Sequence, residues 1–364
     1  MRKMTPRERI EAVLQGRPVD RVPFTAYEGM PVSVPEVQDF LGADAIGFTR
    51  WSTAHTIEYP NCAIEVEDFE EGGARFRRVV TKTPAGRLME LYRFDPTYGS
   101  LWHMEFPIKG PRDYDAYVAL LDDAVLKERY GDFQAEADAM GESGLPMASV
   151  GRSPYQRLAI EAVGLMNLGL HLADFPAKVE RAMEAIRRVW REAVRIAAAS
   201  PALIVNIPDN INAPMVGLER FRKYCAPLYN EAARTLEGTG KVLMVHMDGS
   251  LRPLREAVGE CRHRVVESLC CRPDGDISVE EAVRWWPDKV FWVNFPSSVH
   301  LSSPEIVRAT ARQILEEGAE SGRILMGLME NVPPFAWRRS LPEIAQAIRD
   351  YGEPSPTASS TRSR

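Results

Sequence analysis

The feature that most constrains this chain is an alternation of two kinds of segment that begins at Gly144. Short apolar runs are separated by longer amphipathic stretches, and each pair has the length of one strand followed by one helix. A parallel strand needs such a crossover before the chain can return to the sheet, so the alternation is typical of βαβ units. The pattern therefore predicts an α/β fold built on a parallel sheet.

Eight strands and several helices follow from this pattern. The predicted strands are Val22–Tyr27, Ala45–Arg50, Leu145–Val150, Ala202–Ile207, Lys241–His246, Arg264–Leu269, Lys289–Asn294 and Arg323–Leu328. The predicted helices between the later strands are Pro176–Ala199, Leu218–Leu236, Leu251–Cys261, Val279–Trp286 and Pro304–Glu317. Eight strands suit a closed (β/α)8 TIM barrel, which is the fold we expect. An open doubly wound sheet is the alternative, but no glycine-rich nucleotide-binding turn follows an early strand.

Two further features lie outside these units. Thr5-Pro6-Arg7-Glu8 is a capping box with proline at the first helical position, which predicts an N-terminal helix to about Leu14. Polar and apolar residues alternate from about Asn61 to Phe94, on both sides of Pro84-Ala85-Gly86, and this predicts a β-hairpin elaboration. We expect one domain over residues 1–352 and a disordered polar tail over residues 353–364.

Charge and composition limit the classes of partner. The net charge is −6 and no basic stripe is present, so nucleic acid is not an expected partner. The N-terminus has no apolar signal segment, and no apolar run is long enough to span a membrane, so we expect a cytoplasmic protein. The five cysteines form no disulfide framework, and Cys270-Cys271 is expected to pack in the core rather than to clamp a metal.

Polar side chains are concentrated where the predicted strands end. In a barrel these carboxyl ends meet at one face and build the active site. The polar candidates at these positions are Glu28, Asp209, Asn210, His246, Asp248, Glu267, Asn294 and Glu330. Tyr27 and Trp337 also fall near strand ends, where aromatic rings either line an apolar substrate pocket or pack in the core.

His246-Met247-Asp248 is the most specific of these patterns. Two residues at i and i+2 on an extended segment point to the same side, so this His and this carboxylate can hold one cation. Glu330, after the last strand, is the candidate for a third ligand. Two other interpretations stay open: His246 hydrogen-bonded to Asp248 without a metal, and a turn in which Ser250 caps the following helix. Likewise, Asp209-Asn210 fits an Asx turn as well as a substrate contact.

Several of these segments resemble the superfamily of uroporphyrinogen decarboxylases and cobalamin-dependent methyltransferases. The segments that carry the resemblance are Thr5–Arg9, Gly16–Pro23, Val245–Gly249, Asp274–Ser278 and Gly327–Pro334. The resemblance implies a (β/α)8 barrel. The decarboxylases carry an arginine-rich segment after the first strand that meets the substrate carboxylates. Here that place reads Phe24–Pro31, with Glu28 and no arginine, which disfavours porphyrinogen decarboxylation.

The methyltransferase branch binds zinc through a His-x-Cys pair and a later cysteine near a Gly-x-Pro-Pro segment. His246 matches the histidine of that pattern, while Asp248 and Glu330 stand at the two cysteine positions. The resemblance therefore implies three ligands for Zn²⁺ or another divalent metal, with one coordination position left open. Oxygen ligands in place of thiolates imply a harder Lewis acid, suited to a methyl ether rather than to a thiol.

The resemblance leads us to expect a metal-dependent methyltransferase that moves a methyl group from a small, methoxylated donor to a corrinoid on a separate protein. Acid–base roles are expected for Glu28, Asp209 and Glu267, and the expected substrate contacts are Tyr27, Asn210, Asn294 and Trp337. The alternatives are a cofactor-free decarboxylase-like lyase and a non-catalytic binding barrel. The methyl donor and the oligomeric state are left open by the sequence.

Overall fold

The computed structural model describes residues 2–29, 33–97 and 99–352, so the predicted tail lies outside the described residues. In chain order the strands are β1 Phe24–Tyr27, β2 Gly47–Ser52, β3 His55–Glu58, β4 Ala63–Glu71, β5 Ala74–Thr83, β6 Gly86–Phe94, β7 Leu101–Glu105, β8 Val125–Glu128, β9 Gly144–Ser149, β10 Ile204–Ile207, β11 Val242–His246, β12 Val265–Cys270, β13 Val290–Asn294 and β14 Ile324–Leu328.

The α-helices are α1 Pro6–Leu14, α2 Val34–Leu41, α3 Asp113–Asp122, α4 Tyr130–Met140, α5 Pro154–Arg157, α6 Leu165–Asp174, α7 Pro176–Ala199, α8 Ala213–Val216, α9 Leu218–Arg220, α10 Ala226–Thr235, α11 Arg255–Gly259, α12 Val279–Trp285, α13 Pro304–Gly318 and α14 Trp337–Gly352. Short 3-10 turns cover Gly141–Ser143, Arg252–Leu254, Ser297–Leu301 and Ala319–Ser321, and π turns cover Leu158–Ala162 and Phe221–Cys225. None of the described helices is long and apolar enough to cross a membrane.

Eight parallel strands close into a barrel in the order β1-β2-β9-β10-β11-β12-β13-β14, and β14 pairs with β1. Each barrel strand therefore lies beside the barrel strand that precedes it in the chain. The predicted (β/α)8 barrel is confirmed, and all eight predicted strands are present. Buried strands of this kind form near-continuous apolar runs, because both of their faces are covered.

Side chains of the barrel strands alternate between the interior and the helix layer. Met244 and Trp292 belong to the interior cluster, whereas Val245 and Val293 belong to the cluster under the helices. Residues of α1 join the interior cluster through Ile10, Val13 and Leu14. The N-terminal helix thus packs against the end of the barrel at which the strands begin.

A cation precedes each of the last four barrel strands. Lys289, whose side chain is fully buried, donates from Nζ to the carbonyls of Cys261 (2.7 Å) and His263 (3.1 Å). Arg323 donates to the carbonyl of Lys289 at 2.7 Å, and Lys241 and Arg264 contact carbonyls in the same way. These side chains satisfy carbonyls that the loops at the closed end would otherwise leave unpaired.

Two predicted helices are shorter than expected. Leu218–Leu236 is divided into α9, a π turn and α10, and Leu251–Cys261 begins as a 3-10 turn before α11. In both places a proline lies in the first turn of the segment that forms, because it has no N–H to donate to a preceding helical turn. By contrast, the capping box of α1 is confirmed, because Thr5 and Glu8 exchange side-chain and backbone hydrogen bonds of 2.9 and 3.2 Å.

The predicted hairpin is the central part of a larger insertion between β2 and β9. Strands β4 to β7 form a four-stranded antiparallel sheet, and β3 pairs with β8 in a separate two-stranded sheet. The prediction underestimated this insertion because β3, β7 and β8 lie outside the alternating run from Asn61 to Phe94. These strands have only four or five residues, too few for a clear alternation of polar and apolar positions.

Candidate metal centre

Three side chains converge at the open end of the barrel. His246 is the last residue of β11, Asp248 follows two positions later, and Glu330 follows the end of β14. One ligand atom from each of these residues lies within 4.8 Å of the others. Strands β12 and β13 separate β11 from β14, so the closure of the barrel brings together residues that are far apart in the chain.

A buried carboxylate fixes the orientation of His246. Strands β11 and β12 pair His246 with Glu267, and Nδ1 of the ring lies 2.6 Å from Oε2 of Glu267. The other oxygen of this fully buried carboxylate accepts a hydrogen bond from the hydroxyl of Tyr27. Nδ1 is thereby engaged, and Nε2 is left facing Asp248 at 3.7 Å. Histidines that bind a metal through one ring nitrogen usually donate the N–H of the other nitrogen to a carboxylate, as His246 can do to Glu267.

The charges of this cluster are strongly coupled. Burial lowers the pKa of His246, but the carboxylates of Glu267 and Asp248 outweigh burial and raise that pKa to about 10. Burial opposes ionisation of Asp248, yet His246 and the amide of Asn210 hold its pKa below the usual value. Burial and the neighbouring carboxylates raise the pKa of Glu330. One imidazole therefore faces three carboxyl groups, an environment that favours a cation.

Asp248 is held on one side only. Its Oδ2 accepts a hydrogen bond of 2.9 Å from Nδ2 of Asn210, whereas its buried Oδ1 has no hydrogen-bond partner in the described part of the chain. Asn210 has a positive φ of 51°, which is unusual for a residue with a side chain, and its Oδ1 accepts from Arg152. A strained residue therefore orients one oxygen of Asp248 and leaves the other free for a ligand.

The turn after Asp248 requires glycine. Gly249 has a φ of 104°, and a Cβ at this position would lie 2.6 Å from Nδ2 of Asn212. The alternative in which Ser250 caps the following helix is not found. The backbone N–H groups of Leu251 and Arg252 are instead capped by the carboxylate of Asp276, at 2.8 and 3.2 Å. This carboxylate comes from the β12–α12 connection, which sequence spacing alone does not bring to the turn.

Asp209 is oriented away from the three converging side chains. It is fully buried and accepts hydrogen bonds from Ser153 N (2.6 Å), Ser153 Oγ (2.5 Å) and the hydroxyl of Tyr229 (2.6 Å). Burial raises its pKa, and the three donors oppose that shift. Because Tyr229 belongs to α10, Asp209 ties the end of β10 to the helix layer and anchors the neighbouring Asn210.

The remaining predicted residues differ in how much of the side chain is buried. Glu28 forms an ion pair with Arg50 at the open end, with Nη2 of Arg50 2.8 Å from Oε1. The carboxylate that disfavours porphyrinogen carboxylates is therefore already paired. Asn294 is buried and its Oδ1 accepts from the backbone N–H of Met329 at 2.9 Å, directly before Glu330. Trp337 is buried at the start of α14 against the ring of Phe40, outside the group of converging residues.

Trp51 and Cys270 adjoin the candidate metal centre. A cleft of about 540 Å³ opens beside β2 and β9, lined by Arg50, Trp51, Ser52, Thr53, Arg129, Glu136 and Ser149. The Trp51 ring is 39% exposed and contacts the rings of Tyr27 and His246 edge-on, at 5.5 and 6.1 Å between centroids.

Burial raises the pKa of the Cys270 thiol to about 12, and the charges of Asp248 and Glu330 add to that effect.

A family model described as uroporphyrinogen decarboxylase (URO-D) matches residues 142–351, which is more than half of the chain. The chain belongs to the uroporphyrinogen decarboxylase family. The resemblance stated from sequence is thereby confirmed, and the matched region contains all three residues of the candidate metal centre. A search among curated proteins found no match.

Solved structures with the same fold include a methyltransferase from Methanosarcina mazei. It is 12% identical to this member of the uroporphyrinogen decarboxylase family, with a TM-score of 0.58, covering 96% of this chain and 100% of the methyltransferase chain. A B12-independent methionine synthase from Shewanella sp. W3-18-1, in complex with selenomethionine, is 10% identical, with a TM-score of 0.44 and coverages of 87% and 85%. At such identities the first likeness establishes the fold alone.

Proposed function

We propose that this protein is a metal-dependent methyltransferase that takes a methyl group from a small, methoxylated donor and passes it to a corrinoid carried by a separate protein. His246, Asp248 and Glu330 would bind one divalent ion, with Zn²⁺ as the first choice. The observation that carries the proposal is the approach of their three ligand atoms to within 4.8 Å of one another. Membership of the uroporphyrinogen decarboxylase family supports it.

The donor set fits a divalent ion with an open coordination position. One imidazole and two carboxylates supply three protein ligands, the number that catalytic zinc sites use. Among the described residues no donor bonds to the buried Oδ1 of Asp248, so this oxygen is available as a ligand for a cation. A divalent ion held there would supply a Lewis acid that polarises the ether oxygen of the donor.

The residues of the chain have separate tasks in this proposal. Glu267 keeps His246 in the tautomer that presents Nε2, and Tyr27 satisfies the second oxygen of Glu267. Trp51 offers an exposed aromatic wall beside His246, against which an apolar donor can pack. The ether oxygen would keep the electron pair of the broken C–O bond and take up a proton, while the methyl group would pass to the reduced corrinoid of the partner protein, which supplies the electron pair of the new bond. Glu28, paired with Arg50 at the mouth, is the candidate acid–base group nearest to solvent.

Elemental analysis tests the centre directly. We expect about one metal per chain in the purified wild-type protein, and loss of that metal in His246→Ala and Glu330→Ala. Glu343→Ala is the matched control, because Glu343 pairs with Arg308 on the outer helices and contributes nothing to the cluster. A wild type that stays metal-free after zinc is offered contradicts the proposal. A metal-independent lyase or a non-catalytic binding barrel would then account for the polar side chains at the strand ends.

A further inference from the structure

Arg157, the last residue of α5, is a largely buried guanidinium that is poorly paired. Its side chain is 25% exposed, and its Nε has no hydrogen-bond partner within the described residues and no access to solvent. The nearest carboxylate oxygen belongs to Glu161 and lies 3.7 Å from Nε, which is too far for a hydrogen bond. A largely buried guanidinium without a carboxylate at hydrogen-bond distance among the described residues is only partly neutralised, so such an arrangement calls for an explanation.

Glu161 neutralises Arg157 only in part, because it also pairs with a second arginine. Nε of Arg152 lies 3.0 Å from Oε1 of Glu161, within hydrogen-bond distance. One half-exposed carboxylate thus faces two guanidinium groups, which leaves one positive charge in excess. The next carboxyl group, Glu90 on β6, has its pKa raised by burial and accepts a 2.5 Å hydrogen bond from Tyr92. It is therefore a weak partner for Arg157.

Two tyrosines of the inserted segment interact with the guanidinium of Arg157. Tyr59, in the connection between β3 and β4, and Tyr117, on α3, interact with its guanidinium from the insertion between β2 and β9. Lys109 adds positive charge on the same side, although its Nζ donates to the carbonyl of Met89 at 2.7 Å. The inserted segment therefore covers an arginine that the barrel presents, and two tyrosines flank it.

Arg157 lies on the same end of the barrel as the candidate metal centre. Helix α5 follows the carboxyl end of β9, whose Ser149 lines the cleft at the mouth. Arg152, which shares Glu161 with Arg157, also donates to Asn210, and Asn210 donates to Asp248. Hydrogen bonds thus connect Glu161 to the ligand cluster through Arg152 and Asn210, and Arg157 joins this series through its longer ion pair with Glu161.

We propose that Arg157 binds the carboxylate of an organic acid, with Tyr59 and Tyr117 on either side of it. The planar fork of a guanidinium matches a carboxylate in two parallel hydrogen bonds, and an anion there would supply the hydrogen-bonded charge that the described residues do not. The methyl donor would then be a methoxylated acid whose carboxylate is remote from the ether oxygen. That last step rests on the proposed function, whereas the binding of an anion does not.

Calorimetric titration of chelator-treated protein with sodium benzoate tests the site, with chloride at equal ionic strength and benzyl alcohol as the uncharged analogue. In metal-free protein the carboxylate has no ion to bind, so a failure of the metal centre and a failure of this site are distinguishable. We expect benzoate, and not benzyl alcohol, to bind the wild type, and Arg157→Gln to weaken binding at least tenfold. Arg181→Gln, an exposed arginine paired with Asp115, should leave benzoate binding unchanged.

A second variant acts in the opposite direction. Glu161→Gln removes the carboxylate that competes for Arg157, and it should tighten benzoate binding about threefold or more without requiring Arg157→Gln to fold. Equal affinities in the wild type, Arg157→Gln and Glu161→Gln would overturn the proposal, and so would an absence of benzoate binding to the wild type. Inorganic phosphate binding more tightly than benzoate would overturn the assignment to a carboxylate.

Discussion

Replacing Glu267 with glutamine tests the support beneath the candidate metal centre while conserving volume. The fully buried carboxylate accepts hydrogen bonds from both Nδ1 of His246 and the hydroxyl of Tyr27. Glutamine offers one oxygen and one NH₂ group, so only one of the two donors keeps an acceptor. His246 then loses either its orientation or the negative charge behind its ring.

The expected loss follows from the strength of that contact. A hydrogen bond to a charged group contributes about 1.5–3 kcal/mol, and about 1.4 kcal/mol corresponds to a tenfold change in an equilibrium constant. Glu267→Gln should therefore weaken zinc binding by roughly 10- to 100-fold, the range found when residues that hydrogen-bond to metal ligands are replaced. Tyr27→Phe, which leaves the contact with His246 in place, should have a smaller effect.

Competition with a chromophoric zinc chelator measures these affinities, and Glu343→Gln serves as the matched control away from the site. An affinity of Glu267→Gln within threefold of the wild type would refute the reasoning, provided that the wild type binds zinc. Such a result would mean that Glu267 supports the barrel wall and does not orient His246.

The same variant makes a prediction about pH in metal-free protein. The pKa of His246 rises from 6.5 to about 10 in the folded state, because the carboxylates outweigh burial. A pKa raised on folding stabilises the protein fully below about 6.5 and ceases to do so as the pH rises through 10. The difference in thermal midpoint between wild type and Glu267→Gln should therefore be larger at pH 6 than at pH 10. A constant difference would contradict this assignment of charge.

Three further substitutions separate the parts of the centre. Asn210→Ala removes the amide that orients the aspartate ligand, so zinc should bind roughly tenfold more weakly in the chelator assay; unchanged affinity would contradict that role. Gly249→Ala places a Cβ 2.6 Å from the amide of Asn212 and should abolish metal content, whereas Gly238→Ala, which meets no atom within 4 Å, should preserve it. Trp51→Ala should leave metal content unchanged and weaken binding of a methoxylated donor, and a loss of metal would contradict its assignment to the pocket wall.

The barrel was predictable because its strands are buried on both faces. Leu145–Val150 was predicted and β9 covers Gly144–Ser149, a shift of one residue, and the other barrel strands agree to within two residues. Helices of the outer layer were recognised by their amphipathic period, as for Pro176–Ala199. The short strands β3, β7 and β8 lie outside the alternating run from Asn61 to Phe94, and the full extent of the insertion was accordingly missed.

The candidate centre was predictable in part. The spacing of His246 and Asp248 placed both side chains on one side of an extended segment, and the position of Glu330 after the last strand suggested the third ligand. Their convergence depends on barrel closure, which a sequence does not display. The remaining roles depend on contacts between segments that are distant in sequence. The pairing of β11 with β12 brings Glu267 to His246, and the connection between β9 and α5 brings Arg152 to Asn210. An arginine facing inward is indistinguishable in sequence from one facing solvent.

The cations at the closed end of the barrel have a consequence for how this protein can diverge. Lys241, Arg264, Lys289 and Arg323 bind carbonyls on the side opposite to the ligand cluster. The connections that carry chemistry and the connections that hold the strands in place are therefore different parts of the chain. Related sequences can therefore differ in the loops at the mouth, and in the substrate that those loops bind, while they keep the cation–carbonyl contacts at the closed end. This separation allows proteins with the same barrel fold to catalyse different reactions.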